Sequence, residues 1–161
     1  MGVYLNSKTA YTLYKSETEK NFFVDKSKIL EELFPLVQTG NNHICITRPR
    51  RFGKTVTANM ISAFFSDACD ARDIFDPLLI SQTVDYDKFL NQFPVIHISF
   101  NELGSRCSSY RDYIDRIENR LLRDFKREYR KLDLEGIDNA ADALLELYSQ
   151  DETARFIFVL D

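Results

Sequence analysis

The sequence predicts an α/β fold in which a parallel sheet is flanked by helices. Three short apolar runs, at residues 43–47, 93–100 and 156–160, are typical of buried strands. Between them lie segments whose apolar residues recur every three or four positions, which is the spacing of one helix face. Because strands alternate with helices along the chain, we expect the strands to run parallel within one domain of 161 residues.

The elements are predicted in order along the chain. Residues 1–24, which hold several tyrosines, are expected to form an irregular lead-in, and a short helix ended by residues 39–42 should follow. The first strand then leads into a second helix, residues 75–80 form a connector, and residues 101–105 break the pattern after the second strand. Apolar residues at helical spacing mark the four predicted helices, in order: Ile29, Leu30, Leu33, Phe34 and Val37; Val56, Met60, Ile61, Phe64 and Phe65; Tyr110, Tyr113, Ile114, Ile117, Leu121, Phe125 and Tyr129; and Ala140, Ala141, Leu144, Leu145 and Tyr148.

The junction between the first strand and its helix carries a degenerate phosphate-binding pattern. A P-loop has a glycine, four free positions and then Gly-Lys-Ser/Thr at the start of a helix. This chain has Arg48 in place of the first glycine but keeps Gly53, Lys54 and Thr55. Pro49 restricts Arg48 toward extended conformations, which would stiffen the start of the loop. Nucleotide binding is therefore the first hypothesis.

Each retained residue has a physical task in that hypothesis. Gly53 lets the backbone approach a phosphate without a Cβ in the way, and the surrounding amides donate to phosphate oxygens. Lys54 would reach the β- and γ-phosphates, and the Thr55 hydroxyl would bind Mg²⁺. The alternative is a chance tripeptide at a helix start, with Arg50 and Arg51 in a solvated basic loop or at a partner surface. The hypothesis predicts ATP and Mg²⁺ as cofactors and these nucleotide-binding residues: Arg50, Arg51, Phe52, Gly53, Lys54, Thr55 and Val56.

The last residues of the chain resemble a Walker B strand, in which an apolar run is followed by an acid. Five apolar residues precede Asp161, and a fully buried parallel strand has such a continuous run. A carboxylate at the C-terminal end of that strand is where P-loop enzymes hold Mg²⁺. Asp161 is therefore predicted to act with Lys54 in catalysis and with Thr55 as a metal ligand. The alternative is an ordinary core strand whose final aspartate has no special role.

With these motifs in place, the chain resembles the N-terminal part of the AAA-ATPase-like family of bacteria and archaea. Members are P-loop ATPases that are often followed by a PD-(D/E)XK nuclease-like domain, and their loop also lacks the first glycine. The resemblance covers essentially the whole chain and implies a P-loop NTPase-like parallel sheet flanked by helices. It also places residues 23–27 near the nucleotide, although a helix N-cap formed by Asp25 or Ser27 explains that segment equally well. The segments that carry the resemblance are residues 1–6, 23–27, 46–55 and 93–100.

The resemblance implies two features beyond Asp161 that these 161 residues do not contain. One is an acid that polarises the attacking water, so that residues 1–161 are expected to bind ATP without efficient hydrolysis. The other is a later strand that lies between the P-loop strand and the Walker B strand. We therefore expect an incomplete fold, truncated after the Walker B strand, in which these two strands do not pair directly and leave apolar edges exposed.

Composition and charge restrict the partners. A formal net charge of -4 and a pI near 5.3 exclude a general electrostatic attraction to nucleic acid or anionic membranes. Scattered cysteines argue against a zinc site or a disulfide framework, and His43 and His97, in apolar strand settings, are predicted to be satisfied core residues. Without a signal peptide or a membrane-spanning apolar run, we expect a cytoplasmic location. The predicted helix over residues 110–132 has interleaved acids, which favour a solvated face over a nucleic-acid patch for its basic residues: Arg116, Arg120, Arg123, Lys126, Arg127, Arg130 and Lys131.

Two functional classes follow from the sequence. The first is an ATP-binding P-loop segment of a longer ATPase, acting with a C-terminal nuclease-like domain or another protein partner. The second is a non-catalytic, nucleotide-stabilised scaffold that binds protein or DNA. A nuclease site within this segment is disfavoured, since no Asp followed by Glu-X-Lys on paired strands is visible.

Overall fold

The computed structural model describes residues 2–39, 43–100, 107–130, 134, 136–151 and 155–161. Within this part of the chain, no helix is both long and apolar enough to cross a membrane. The elements are α1 (Thr9–Thr18), α2 (Ile29–Thr39), α3 (Lys54–Phe65), α4 (Arg72–Phe75), a 3₁₀ helix (Leu79–Gln82), α5 (Tyr86–Phe89), β1 (Val95–Ile98), α6 (Tyr110–Glu128), α7 (Ala140–Gln150) and β2 (Ile157–Leu160).

The sheet consists of β1 and β2, which pair in parallel with Val95 opposite Ile157. Successive side chains of a strand point to opposite faces, so β1 contributes to two cores. Val95 and Val159 belong to the apolar core around α3, whereas Ile96 and Ile98 belong to a second core beneath α6. Helices thus cover both faces of a parallel sheet, and the predicted α/β class is confirmed.

The core around α3 is built largely from aromatic rings. Phe34 of α2 stacks on Phe89 of α5, with ring centroids 4.3 Å apart. Phe64 of α3 is fully buried and meets Phe75 edge to face at 5.1 Å. Such pairs add to the free energy gained by burying apolar surface, by about 0.5–1.5 kcal/mol each. This cluster holds α3 rigidly, and with it the loop that precedes α3.

The prediction of an irregular lead-in over residues 1–24 is wrong, because α1 lies within it. Ala10 and Tyr14 of α1 are buried, and the Tyr14 ring stacks on Phe75 at 5.5 Å. The sequence of α1 has little helical periodicity of its own. Packing against the rest of the chain stabilises most short helices, and that contribution cannot be seen in a local pattern.

The residues before α1 lie along the edge of β1 that does not face β2. Leu5 forms an antiparallel bridge with Ile96. The Asn6 amide donates to the Val95 carbonyl at 2.8 Å, and the His97 amide donates to the Tyr4 carbonyl at 3.0 Å. The edge of β1 is therefore covered by the chain itself, which protects it from pairing with another molecule.

Asp124 of α6 holds this N-terminal segment in place through hydrogen bonds. Its Oδ2 atom accepts hydrogen bonds from the backbone amides of Val3 and Tyr4 at 2.7 Å and of Leu5 at 3.2 Å. Asp124 is only 4% exposed, so these three donors compensate the cost of burying its charge. Gly2 is required beside it, because a Cβ at that position would lie 2.5 Å from Asp124 Oδ2.

The prediction of a buried strand at residues 43–47 is wrong for the described structure. These residues form no strand there, and Ile44 is 46% exposed. β2 is likewise only partly buried, with Phe158 49% and Leu160 63% exposed. The physical reason is shared: no strand of the described residues lies between residues 43–47 and β2, so neither segment has a partner on that side. Because residues 43–47 form no strand, the expectation about the pairing of two such strands stays a prediction.

Residues 23–27 have a clear structural role. Asp25 accepts hydrogen bonds from the amides of Ser27 and Leu79, both at 2.8 Å, and Ser27 Oγ accepts from the Ile80 amide at 3.1 Å. The segment thereby ties the start of α2 to the 3₁₀ helix. Whether it also approaches a nucleotide stays a prediction. Of the break predicted at residues 39–42, Thr39 is the last residue of α2, while residues 40–42 and the break predicted at 101–105 lie outside the described residues.

Candidate functional site

The loop that precedes α3 forms a tight turn. The Phe52 amide donates to the Pro49 carbonyl at 3.2 Å, which closes a turn over residues 49–52. Arg51 has φ 70° and Gly53 has φ 76°. Only glycine adopts a left-handed conformation without a steric penalty, so Gly53 is the residue that this turn needs. The strained conformation of Arg51 is typical of functional sites.

The start of α3 leaves donors and positive charge uncompensated. Helix α3 begins at Lys54, and Gly53, which precedes it, offers no side-chain cap. The first amides of a helix have no partner within the helix and carry a partial positive charge. Lys54 and Thr55 are exposed there. The arrangement favours an anion at this point.

The arginines of the loop add to this charge. Arg50 and Arg51 are exposed, as is Lys54, and none of their side chains forms an ion pair or hydrogen bond with the described residues. Phe52 is 61% exposed beside them, whereas Val56 is partly buried against the core around α3. Solvated cations next to unpaired helix amides are available for a ligand.

Asp161 lies directly after β2, where the backbone fixes it. Its amide donates to the Ile98 carbonyl at 3.0 Å, and its carbonyl accepts from the Phe100 amide at 2.8 Å. Its side-chain Oδ2 atom is buried and has no hydrogen-bond partner among the described residues. A buried carboxylate oxygen without a donor is costly, because nothing replaces the water that it has lost. Such an atom is a candidate ligand for a cation.

Two cavities bring the predicted residues together, and both are lined by Asp161. The cavity on the β2 side has a volume of about 330 Å³ and is lined by Lys54 together with Ile44 and Ile46. The other cavity, of about 410 Å³, is lined by Thr55. Lys54 and Thr55 thus line different cavities, and Asp161 lines both. Arg50, Arg51 and Phe52 line neither of these cavities.

The residues present fit a magnesium ion better than a metal with an all-protein ligand shell. Among the described residues there is no group of three His, Cys, Asp or Glu side chains that could hold a metal. Mg²⁺ is usually held by one or two protein oxygens together with substrate phosphates and water. The Thr55 hydroxyl and the orphaned Asp161 oxygen supply that kind of ligand set.

His97 stands on β1 next to this site and was predicted only as a satisfied core residue. That prediction is confirmed, since its Nδ1 atom is 3.0 Å from Ser62 Oγ of α3. Burial lowers the pKa of His97, and the charge of Asp161 partly opposes this effect. A lowered pKa keeps the imidazole neutral at physiological pH. His43, by contrast, is exposed, so the apolar setting predicted for it is wrong.

The larger of these two cavities is also lined by residues that the sequence did not predict as site residues. Arg116 and Arg120 of α6 line the larger cavity together with Asn59 of α3 and Ser99, which follows β1. The sequence favoured a solvated face for all the arginines of this helix. Arg123 and Lys126 are indeed exposed, but Arg116 and Arg120 are half-buried. Their spacing of four residues was the available signal, because it puts both on one side of a helix.

Comparison with known proteins identifies one family. The model of the AAA-ATPase_like family, described as predicted AAA-ATPase, matches residues 12–161. No curated protein and no solved structure matches the chain.

Proposed function

The chain belongs to the predicted AAA-ATPase-like family, and we propose that it binds ATP and Mg²⁺ at the N-terminus of α3. The observation that carries this proposal is the buried Oδ2 atom of Asp161, which has no partner among the described residues and lines a cavity with Thr55. A P-loop NTPase-like core is the fold that this function requires. Family membership supports the nucleotide-binding theme, and the geometry supports the assignment of roles.

Each residue of the site has a role in this proposal. The amides around Gly53 bind phosphate oxygens, and Lys54 neutralises charge on the β- and γ-phosphates. Thr55 and Asp161 hold Mg²⁺, the threonine through its hydroxyl and the aspartate directly or through water. Arg50 and Arg51 add phosphate contacts from the exposed loop. A bound Mg²⁺ ion neutralises the charge that develops on the phosphates during transfer.

We assign binding, and not efficient turnover, to residues 1–161. Among the described residues that line the two cavities, Asp161 is the only acid, and its role is to hold the metal. Hydrolysis also needs a group that orients the attacking water. In the proposed ATPase, a nuclease-like domain or another protein partner receives the conformational signal.

Thermal unfolding with and without MgATP tests the proposal. Binding raises stability by about 2.7 kcal/mol when the ligand exceeds its Kd a hundredfold, which corresponds to a Tm increase of several degrees. Lys54→Ala should abolish the increase. Lys28→Ala is the matched control, because Lys28 is exposed and lies at the start of α2. An increase that persists in Lys54→Ala, or its absence from the wild type, would contradict the proposal.

A second candidate function is a nucleotide-stabilised interaction module. Exposed apolar side chains on the β2 side favour it, since Ile44, Phe158 and Leu160 are all at least 46% exposed. Contiguous apolar surface of this kind often marks a protein interface. A DNA-binding module is distinguished by an affinity that falls steeply with salt and does not change with ATP.

A further inference from the structure

The cavity of about 410 Å³ is lined by two chemically different groups. Thr55 and Asp161 form the candidate magnesium site. Arg116 and Arg120, which α6 supplies, line the same cavity. A water molecule in the liquid takes about 30 Å³. The cavity volume of about 410 Å³ therefore exceeds that of several waters, which leaves room for a phosphate group as well as a hydrated Mg²⁺ ion.

The charge in this cavity is unbalanced. Arg116 and Arg120 have no ion pair or hydrogen bond with the described residues. Among the described residues that line this cavity, Asp161 is the only acid, and it is the proposed metal ligand. Guanidinium groups carry a positive charge. Two partly buried guanidinium groups that have no carboxylate partner among the described residues are therefore available to bind an anion.

The fold holds this pair in place. The capping box of Ser109 and Asp112 fixes the start of α6. Ile117 and Leu121, which alternate with the arginines along the helix, are buried in the second core. Since α6 cannot turn without exposing them, Arg116 and Arg120 are kept on the cavity side. Little reorganisation is then needed when they bind a ligand.

We propose that Arg116 and Arg120 bind the terminal phosphate of the bound nucleoside triphosphate, so that the site distinguishes ATP from ADP. This inference rests on the proposed function, because Thr55 and Asp161 determine where the phosphates lie. Guanidinium groups match phosphate geometry and hold it through paired hydrogen bonds. Asn59 and Ser99 line the same cavity and add neutral donors. The result is a contact between α6 and the one group that ATP has and ADP lacks.

Calorimetric titration of MgATP and MgADP tests this inference in three proteins. These are the wild type, Arg116→Gln/Arg120→Gln, and the control Arg123→Gln, which changes an exposed arginine of the same helix. Hydrogen bonds to charged groups are the strong ones, so ATP affinity should fall at least tenfold in the double variant. ADP affinity should change less than twofold, and the control should match the wild type for both nucleotides.

Other outcomes separate the inference from the function beneath it. If the wild type binds neither MgATP nor MgADP, the proposed function itself is contradicted. An equal loss of ATP and ADP in the double variant, or unchanged affinities, overturns the assignment to the terminal phosphate. Stabilisation by inorganic phosphate alone that depends on the pair, with an unchanged ratio of ATP to ADP affinity, indicates a separate anion site and also overturns it. Far-ultraviolet circular dichroism and Tm without ligand establish that each variant is folded.

Discussion

Two aspartates end up in opposite electrostatic situations in this molecule. Asp124 is buried and receives three backbone hydrogen bonds from the N-terminal segment. Asp161 also has a buried carboxylate oxygen, but that atom has no donor among the described residues. The position of each residue in the fold explains its situation. Asp124 lies on α6, beside the amides of the N-terminal segment, whereas Asp161 lies directly after β2.

Hydrogen bonding therefore separates the two carboxylates. A charge that the chain itself satisfies stabilises the fold, and removing it leaves amides unpaired. A buried charge that the described residues leave unsatisfied lowers stability, and a bound cation would compensate that cost. The two aspartates should therefore respond to substitution in opposite ways, one in stability and the other in binding.

Among the substitutions considered, replacing Asp124 should change the stability of the protein most. Asp124→Ala should lower the free energy of unfolding by about 3 kcal/mol, because it leaves the amides of Val3, Tyr4 and Leu5 without their acceptor. Urea denaturation monitored by circular dichroism measures this. Asp115→Ala, an exposed position on the same helix, is the control and should change stability by less than about 0.5 kcal/mol. If Asp124→Ala and Asp115→Ala lowered the free energy of unfolding equally, the hydrogen bonds to Asp124 would contribute nothing to stability.

A smaller change in stability, one that depends on pH, is expected from His97. It also tests how the charge of Asp161 affects the pKa of this histidine. Burial lowers the folded-state pKa of His97 from 6.5, so the unfolded chain binds the proton more readily. The stability that comes from neutral His97 is fully present above pH 6.5 and is lost as the pH falls through the lowered pKa. We expect the free energy of unfolding to decrease in that window, measured by denaturation between pH 7 and pH 5.

Variants assign this pH dependence to the right group. His97→Gln should flatten the stability profile below pH 6.5. Asp161→Asn should steepen it, because the aspartate charge opposes the lowering of the histidine pKa. A profile that is the same in all three proteins would contradict the assignment.

The sequence predicted most of what depends on neighbouring residues. Gly53, Lys54 and Thr55 stand together at the start of α3, as their spacing required. Asp161 follows a strand that its apolar run identified. These features are local, because strand and helix patterns repeat over a few residues and a phosphate-binding turn needs a glycine at one position.

What the sequence missed depends on contacts between distant residues. Helix α1 gains its stability from burying Ala10 and Tyr14, and its own pattern is weak. The spacing of Arg116 and Arg120 puts both on one side of a helix, but it does not show which side of α6 is buried, and that is what distinguishes them from the exposed Arg123. The strand predicted at residues 43–47 failed for the same reason, since pairing needs a neighbour as well as an apolar run.

We propose that Asp161 binds Mg²⁺ together with ATP, and a calorimetric titration distinguishes this role from a purely structural one. ATP is titrated into the wild type, Asp161→Asn and the control Asp115→Asn, each with Mg²⁺ and with EDTA. We predict that Mg²⁺ strengthens ATP binding at least tenfold in the wild type and the control and has little effect in Asp161→Asn, while the unliganded stability of that variant is unchanged or higher. Equal strengthening by Mg²⁺ in all three proteins, or no ATP binding in any of them, would overturn this proposal.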